Sequence, residues 1–142
     1  MGVSEILAKK GRNVFTAHHD ESLENIARTL AEKKIGAAVI LDDHSEVCGI
    51  ASERDIVREI AKDGCDALSR PISVCMTQKV ISCDEDESID SLMDKMTKGR
   101  FRHLPVISNG KLNGIISIGD VVKRKIEVAE RDAEDMKRYI AG

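Results

Sequence analysis

Two kinds of apolar spacing alternate along the chain. Leu23, Ile26, Ala27 and Leu30 stand at i, i+3, i+4 and i+7, the spacing of a helix with one apolar face. Ile89, Leu92, Met93 and Met96 repeat that spacing 66 residues later. Ser22 and Ser88 precede the two stretches, where a helix N-cap belongs. Between and after them come short, unbroken apolar runs that predict buried strands. "AAVIL" (Ala37–Leu41) matches "HLPVI" (His103–Ile107), and Pro105 marks the second as an edge or bulge position. Polar turns follow, "DDHSE" in one case and "SNGK" in the other, and then the strands "VCGIAS" and "LNGIIS". "RDIVREIA" and "GDVVKRKI" open the last helices.

The chain is therefore a duplication. Val14 aligns with Val80, Thr16 with Ser82, and Asp20-Glu21-Ser22 with Asp86-Glu87-Ser88. Each copy reads strand, helix, strand, strand, helix, which predicts an α+β fold of two β-α-β-β-α units, each with a small sheet needing cover from its twin. The copies are expected at residues 8–66 and 74–130, with a helical extension over 131–142. "VSEIL" (Val3–Leu7) and "ISVCM" (Ile72–Met76) are matching lead-ins, and Ala61–Pro71, with Gly64 and Pro71, reads as a linker.

At 142 residues the chain buries roughly 68–70% of its extended surface. Phe15, Phe101 and Tyr139 are its only aromatics, so the core is aliphatic. No apolar run matches a membrane span, and the N-terminus lacks the charge pattern of a secretory signal. Ile6 stands where a myristoylation signal needs Ser or Thr. The formal charge of −3 is interspersed, and stacking aromatics are scarce, which disfavours nucleic acid. Cys48, Cys65, Cys75 and Cys83 form no metal-ligand spacing and read as reduced thiols of a cytoplasmic protein, mostly small core residues. His18, His19 and His44 fall in turns without a metal-like grouping, and no metal is expected.

The ordered set of matches resembles a tandem pair of cystathionine-beta-synthase (CBS) domains, a Bateman module. Both copies end in Gly-apolar-apolar-Ser-x-x-Asp ("GIASERD" from Gly49, "GIISIGD" from Gly114), and "RFRHLPV" (Arg100–Val106) is especially like a second copy of that family. The resemblance implies a stand-alone, pseudo-two-fold pair with two clefts between the repeats. It also implies an adenosyl ligand, AMP foremost, with ADP, ATP, NAD or S-adenosylmethionine as alternatives. Homodimers and a regulatory, non-catalytic role are further implications.

Each candidate residue has an ordinary reading beside the ligand-binding one. Ser52 with Asp55, and Ser117 with Asp120, form capping-box variants at helix starts. A helix N-terminus also attracts phosphate, and the resemblance implies that each aspartate takes the two hydroxyls of a ribose. It further implies that Thr16 faces Asp120 across a cleft and Ser82 faces Asp55. Arg102 and His103 are either solvated charges or, together, a phosphate clamp. Copy one has Gly36 and Ala37 at those places and Arg54 where copy two has Gly119, so the sites should be unequal. Ile35, Phe101 and Ile118 are core residues or walls for an adenine.

Val122, Ile126, Ala129, Ala133, Met136 and Ile140 alternate by four and three, as in a coiled-coil seam. Glu127–Arg131 and Glu134–Arg138 are spaced for i, i+4 pairing. The stripe suits dimerisation, or packing back on its own domain. The rival to a nucleotide sensor is an adaptor with empty clefts that works through this helix.

Overall fold

The computed structural model describes residues 2–141, so Met1 and Gly142, the last residue of the expected extension, lie outside it. The chain forms two compact units, one of residues 14–80 and the other of residues up to 13 together with those from 81 onward. The mixed α+β class and the duplication are as expected.

In the first unit β1 (Thr16–His18) runs parallel to β2 (Ala37–Leu41), which pairs antiparallel with β3 (Val47–Ser52). Helix α2 (Leu23–Lys33) follows β1, and α3 (Glu53–Asp63) follows β3. Ser22 Oγ accepts the Asn25 N–H at 3.1 Å and so caps α2 as its position predicts. Leu23, Ile26 and Leu30 bury the helix's apolar face against Ala38, Ile40 and Ala51 of the sheet.

The second unit repeats this with one loss. Helix α4 (Ile89–Gly99), capped by Ser88, precedes the antiparallel pair β4 (His103–Ser108) and β5 (Lys111–Ser117), and α5 (Ile118–Ala141) follows. The expected strand near Ser82 shrinks to a single parallel bridge, Cys83 with Val106. Pro105 accounts for one end of this loss, and at the other end Glu85 N–H donates to Ser108 Oγ where its counterpart His19 N–H donates to Leu41 O. In the first unit Val39 N–H donates to Phe15 O at 3.0 Å. Pro105 occupies the matching place and has no N–H to give, so the ladder begins one bond later, with Cys83 N–H on Pro105 O at 2.9 Å.

Two stretches behave otherwise than their sequence suggests. The supposed linker is structured: 3-10 turns at Gly64–Ser69 and Ile72–Val74 belong to the first unit, with Ala67 and Ile72 in its core. Arg70 fastens them through Asp63 at 2.6 Å and Glu59 at 3.1 Å. Gly64 and Pro71 thus mark turns rather than a flexible connection. The lead-ins, meanwhile, are exchanged. Helix α1 (Val3–Lys10) buries Val3, Ile6 and Leu7 in the core of the second unit, while Ile72 and Met76 pack on the first.

The docking is the same at both places. Val3 N–H donates to Glu87 O (3.1 Å), and Ile72 N–H to Glu21 O (2.7 Å). A Cβ on Gly114 would lie 2.6 Å from Leu7 Cδ2, and one on Gly49 would lie 2.5 Å from Met76 Sδ. The glycine that opens each Gly-apolar-apolar-Ser motif thus leaves room for the lead-in side chain.

Removing Leu7, which is 1% exposed, deletes a core side chain. Leu7→Ala is expected to cost about 2–5 kcal/mol in urea unfolding. Gly114→Ala should destabilise the native chain but cost far less in the Leu7→Ala background, where the clashing methyls are gone. Additive losses would contradict this contact.

Candidate functional site

The two Ser-x-x-Asp corners are formed alike. Asp55 N–H donates to Ser52 Oγ (3.3 Å), and Ser52 N–H returns a bond to Asp55 Oδ2 (2.9 Å). Asp120 N–H donates to Ser117 Oγ (3.1 Å), and Ser117 N–H to Asp120 Oδ2 (2.8 Å). The reciprocal capping box is therefore present at both helix starts. Each carboxylate is held at the positive end of a helix, where its charge is favoured.

The strand register carries the neighbouring candidates to these corners. Ala37 pairs with Ser52, and Glu53 N–H donates to Gly36 O at 3.0 Å. His103 pairs with Ser117, and Ile118 N–H donates to Arg102 O at 2.8 Å. Arg102 and His103 thus adjoin the Asp120 corner, as uncharged Gly36 and Ala37 adjoin that of Asp55. Arg54 and Arg102 are exposed, and Ile118 is 43% exposed. Ile35 and Phe101 are half-buried and pack against the cores of their own units. Thr16 is exposed at the start of β1, and Ser82 is half-buried, its carbonyl taking Lys95 Nζ at 3.0 Å.

Lys10, which drew no notice in the sequence, is the partner of Asp120. Its Nζ donates to Asp120 Oδ2 at 2.6 Å and to Ile115 O at 2.8 Å. Lys10, Asp120, Lys123 and Arg124 line a cleft between α1 and the start of α5, with Lys9 at its side. Glu127, spaced to pair with Arg131, instead takes Lys9 at 2.9 Å and Arg124 at 3.4 Å, and Arg124 also meets Glu5. A signal for Lys10 existed: continued to their ends, the lead-ins read "VSEILAKK" and "ISVCMTQK", placing Lys79 opposite Lys10. At the first corner Asp55 has Arg58 at 3.6 Å instead.

Burial is the largest single influence on the Asp120 carboxyl and pushes its pKa up. The bond from Lys10, the Ser117 N–H and the charge of Lys10 outweigh it and hold the group below the usual carboxylate range. Burial raises the Cys75 thiol to about 11 and Cys83 to about 12. Both are therefore protonated near neutrality, which suits packing and not nucleophilic chemistry.

One expectation is overturned. His18, His19, Asp20 and Asp43 each bring a donor atom within 4.8 Å of the others. His18 and His19 do form a metal-like grouping, because Asp43 reaches them from a hairpin turn more than twenty residues along the chain.

Asp120 has a depressed folded-state pKa, so its contribution to stability is present above its unfolded value and is lost as pH falls through the folded one. Asp120→Asn should therefore flatten the acid limb of a stability–pH curve, and Lys10→Met should flatten it partly. An unchanged acid limb in both variants would mean the pair contributes nothing.

Comparison with known proteins agrees with this architecture. The model of the CBS domain matches the chain twice, over residues 3–62 and 72–127. A CBS-domain protein of Agrobacterium tumefaciens is 48% identical, with a TM-score of 0.82 over 87% of this chain and 92% of its own. The CBS domain pair of protein MJ0100, solved with 5'-methylthioadenosine and S-adenosyl-L-methionine, is 28% identical at a TM-score of 0.76, over 87% of this chain and 94% of its own. A CBS domain protein of Pyrobaculum aerophilum, solved with AMP, is 26% identical at a TM-score of 0.75, over 84% of this chain and 89% of its own. Doubled corners, doubled lead-ins and a doubled family match lead to one assignment: the chain belongs to the CBS-domain family and carries a tandem pair of its repeats.

Proposed function

We propose that the chain is a regulatory module that binds an adenosyl nucleotide, AMP foremost, and catalyses no reaction itself. The observation that carries this is the Asp120 corner. A carboxylate sits at a helix N-terminus in a cleft shared with Lys10 and Lys123, and Arg102 O accepts the Ile118 N–H beside it. Oδ2 takes the Ser117 N–H and Lys10, while Oδ1 has no hydrogen bond among the described residues and is left to accept from a sugar. The AMP and S-adenosylmethionine complexes of the two relatives support the ligand class.

Lys10 then has two duties. Without ligand it neutralises Asp120. With a nucleotide the ribose hydroxyls take over the carboxylate, and Lys10 turns to the phosphate as a point charge. Arg102 and His103 adjoin this corner, while Asp55 has Arg58 at 3.6 Å. The Asp120 site is therefore assigned the tighter phosphate grip. Ser52 and Ser117 hold the helix starts, and Thr16 and Ser82 are assigned as hydroxyl contacts to the ligand. Ile35, Phe101 and Ile118 are assigned as its apolar surroundings.

Ligand binding regulates by population shift, bounded by the ligand's differential affinity for two arrangements of the protein. The stripe on α5 supports a homodimer as the element that responds. Val122, Ile126, Met136 and Ile140 are 47%, 53%, 60% and 77% exposed, so the stripe does not fold back on its own unit. The packing face of α5 is instead Val121 and Arg124.

A thermal-shift panel of AMP, ADP, ATP, NAD and S-adenosylmethionine tests the ligand class. A binder at a hundredfold excess over its Kd should stabilise by about 2.7 kcal/mol. A flat panel would favour the adaptor that works through α5. Asp120→Ala should weaken AMP more than Asp55→Ala does, and equal losses would reject the asymmetry. Lys10→Met should weaken AMP but not adenosine. Phosphate release from ATP that Asp120→Ala abolishes would instead mark an enzyme.

For the helix, Met136→Glu with Ile140→Glu should shift the chain from dimer to monomer in sedimentation, with AMP binding retained. A dimer that survives both changes is not held by this stripe.

A further inference from the structure

Adjacent residues on a strand point to opposite faces, yet His18 and His19 face each other. Strand β1 ends at His18, and the chain turns at once, bringing the two ring centroids to 4.3 Å at a tilt of 32°. The backbone there is pinned. His19 N–H donates to Leu41 O at 3.0 Å, and its carbonyl takes the Ser73 N–H at 3.2 Å. The β2–β3 turn is braced by Asp42, whose Oδ1 accepts the His44 N–H at 2.8 Å and the Glu46 N–H at 3.0 Å. That brace presents Asp43 to the rings. His18 Nε2 lies 2.7 Å and His19 Nε2 3.3 Å from the same oxygen, Asp43 Oδ1. On the far side of the rings, the Asp20 carboxylate is 3.7 Å from His18 Nδ1 and 3.2 Å from His19 Nδ1.

We propose that His18, His19 and Asp43 bind one divalent transition metal ion, of the zinc, cobalt or nickel kind, with Asp20 orienting the two imidazoles from behind. Tetrahedral zinc, with bonds of about 2.0–2.1 Å, holds its donors about 3.3–3.4 Å apart. The His19–Asp43 separation of 3.3 Å already matches, and Asp43, exposed at its turn, can withdraw slightly from His18. Two imidazoles and a carboxylate favour these metals over magnesium or calcium, which prefer oxygen donors alone. A carboxylate behind a ligating imidazole fixes its tautomer and raises its basicity. At His18 the Asp20 N–H now donates to Nδ1 at 3.2 Å, leaving the ring proton on Nε2 against Asp43. Metal entry at Nε2 moves that proton to Nδ1, where Asp20 Oδ2 accepts it in place of the backbone bond. Glu21 and Asp42 add negative charge beside the site.

The duplication supplies an internal control. At the places of His18, His19 and Asp20 the second repeat has Asp84, Glu85 and Asp86, three carboxylates and no imidazole. One ion per chain is therefore expected, and the site is a property of the first repeat alone.

Isothermal titration of the full chain with Zn2+, and visible spectroscopy with Co2+, test this. The expected result is one ion per chain and cobalt bands without thiolate-to-cobalt charge transfer. His18→Asp combined with His19→Glu, the residues the second repeat carries, should lower affinity about a hundredfold or more while the thermal melt is unchanged. Asp43→Ser should do the same from the exposed turn, and Asp20→Ala should weaken binding about 10–100-fold. Absence of saturable binding, a thiolate band, one ion per two chains, or unchanged affinity in the His18/His19 and Asp43 variants would each overturn the proposal.

Discussion

The structure depends on an exchange of lead-in segments. Each repeat, taken as a contiguous stretch, leaves one side of its core uncovered, and the cover comes from the segment that precedes the other copy. Val3, Ile6 and Leu7 close the core built from Leu92, Leu104, Val106 and Ile116, while Ile72 and Met76 close that of Leu23, Ile26 and Ile40. The contact is tight enough that a glycine must sit opposite each lead-in, Gly114 against Leu7 and Gly49 against Met76. Folding of the second repeat is thereby tied to the first residues of the chain. Loop closure over so many residues costs entropy only slowly with length, so a local gain from buried aliphatic side chains sustains the link.

That exchange also sets the chemistry of the Asp120 corner. A lead-in bound for the second repeat carries Lys10 with it, and Lys10 ends 2.6 Å from the carboxylate. Burial favours the protonated form of that carboxyl, and the Lys10 bond and charge together with the Ser117 N–H outweigh it and hold its pKa down. The same helix sets Lys9, Glu5 and Ile6 against α5, where Arg124 is buried between Glu5 and Glu127. Packing and electrostatics at the candidate site are thus one arrangement seen from two sides.

Duplication preserved the corners and let their surroundings drift. Pro105 removes one ladder bond from the second sheet and Glu85 N–H turns to Ser108 Oγ at the other end, leaving its first strand as a bridge. Arg102 and His103 replace Gly36 and Ala37 beside a corner whose backbone bonds are otherwise matched. In the other direction, His18 and His19 gave the first repeat a nitrogen-rich cluster where the second kept carboxylates. The backbone hydrogen bonds of the corners are indifferent to the exchange of Gly36 and Ala37 for Arg102 and His103, because those side chains sit at strand ends.

By itself the sequence determined the α+β class, the duplication, the helix caps and the position of both aspartates. Those features follow from local rules: apolar spacing sets which face of an element is buried, and a serine three residues before an aspartate, at the end of a strand pattern and the start of a helix pattern, reads as an N-cap. Pro105 announced a flaw in the second sheet, though not that a whole strand would shrink to one bridge. Only the tertiary structure decided which repeat each lead-in serves, that Lys10 meets Asp120, that Ala61–Pro71 is core-bearing rather than loose, and that Asp43 joins two adjacent histidines. These are contacts between segments distant along the chain. Local spacing carries no information about which distant surface has the matching hollow; packing does, and at Gly49 and Gly114 the missing side chain leaves the space that Met76 and Leu7 enter.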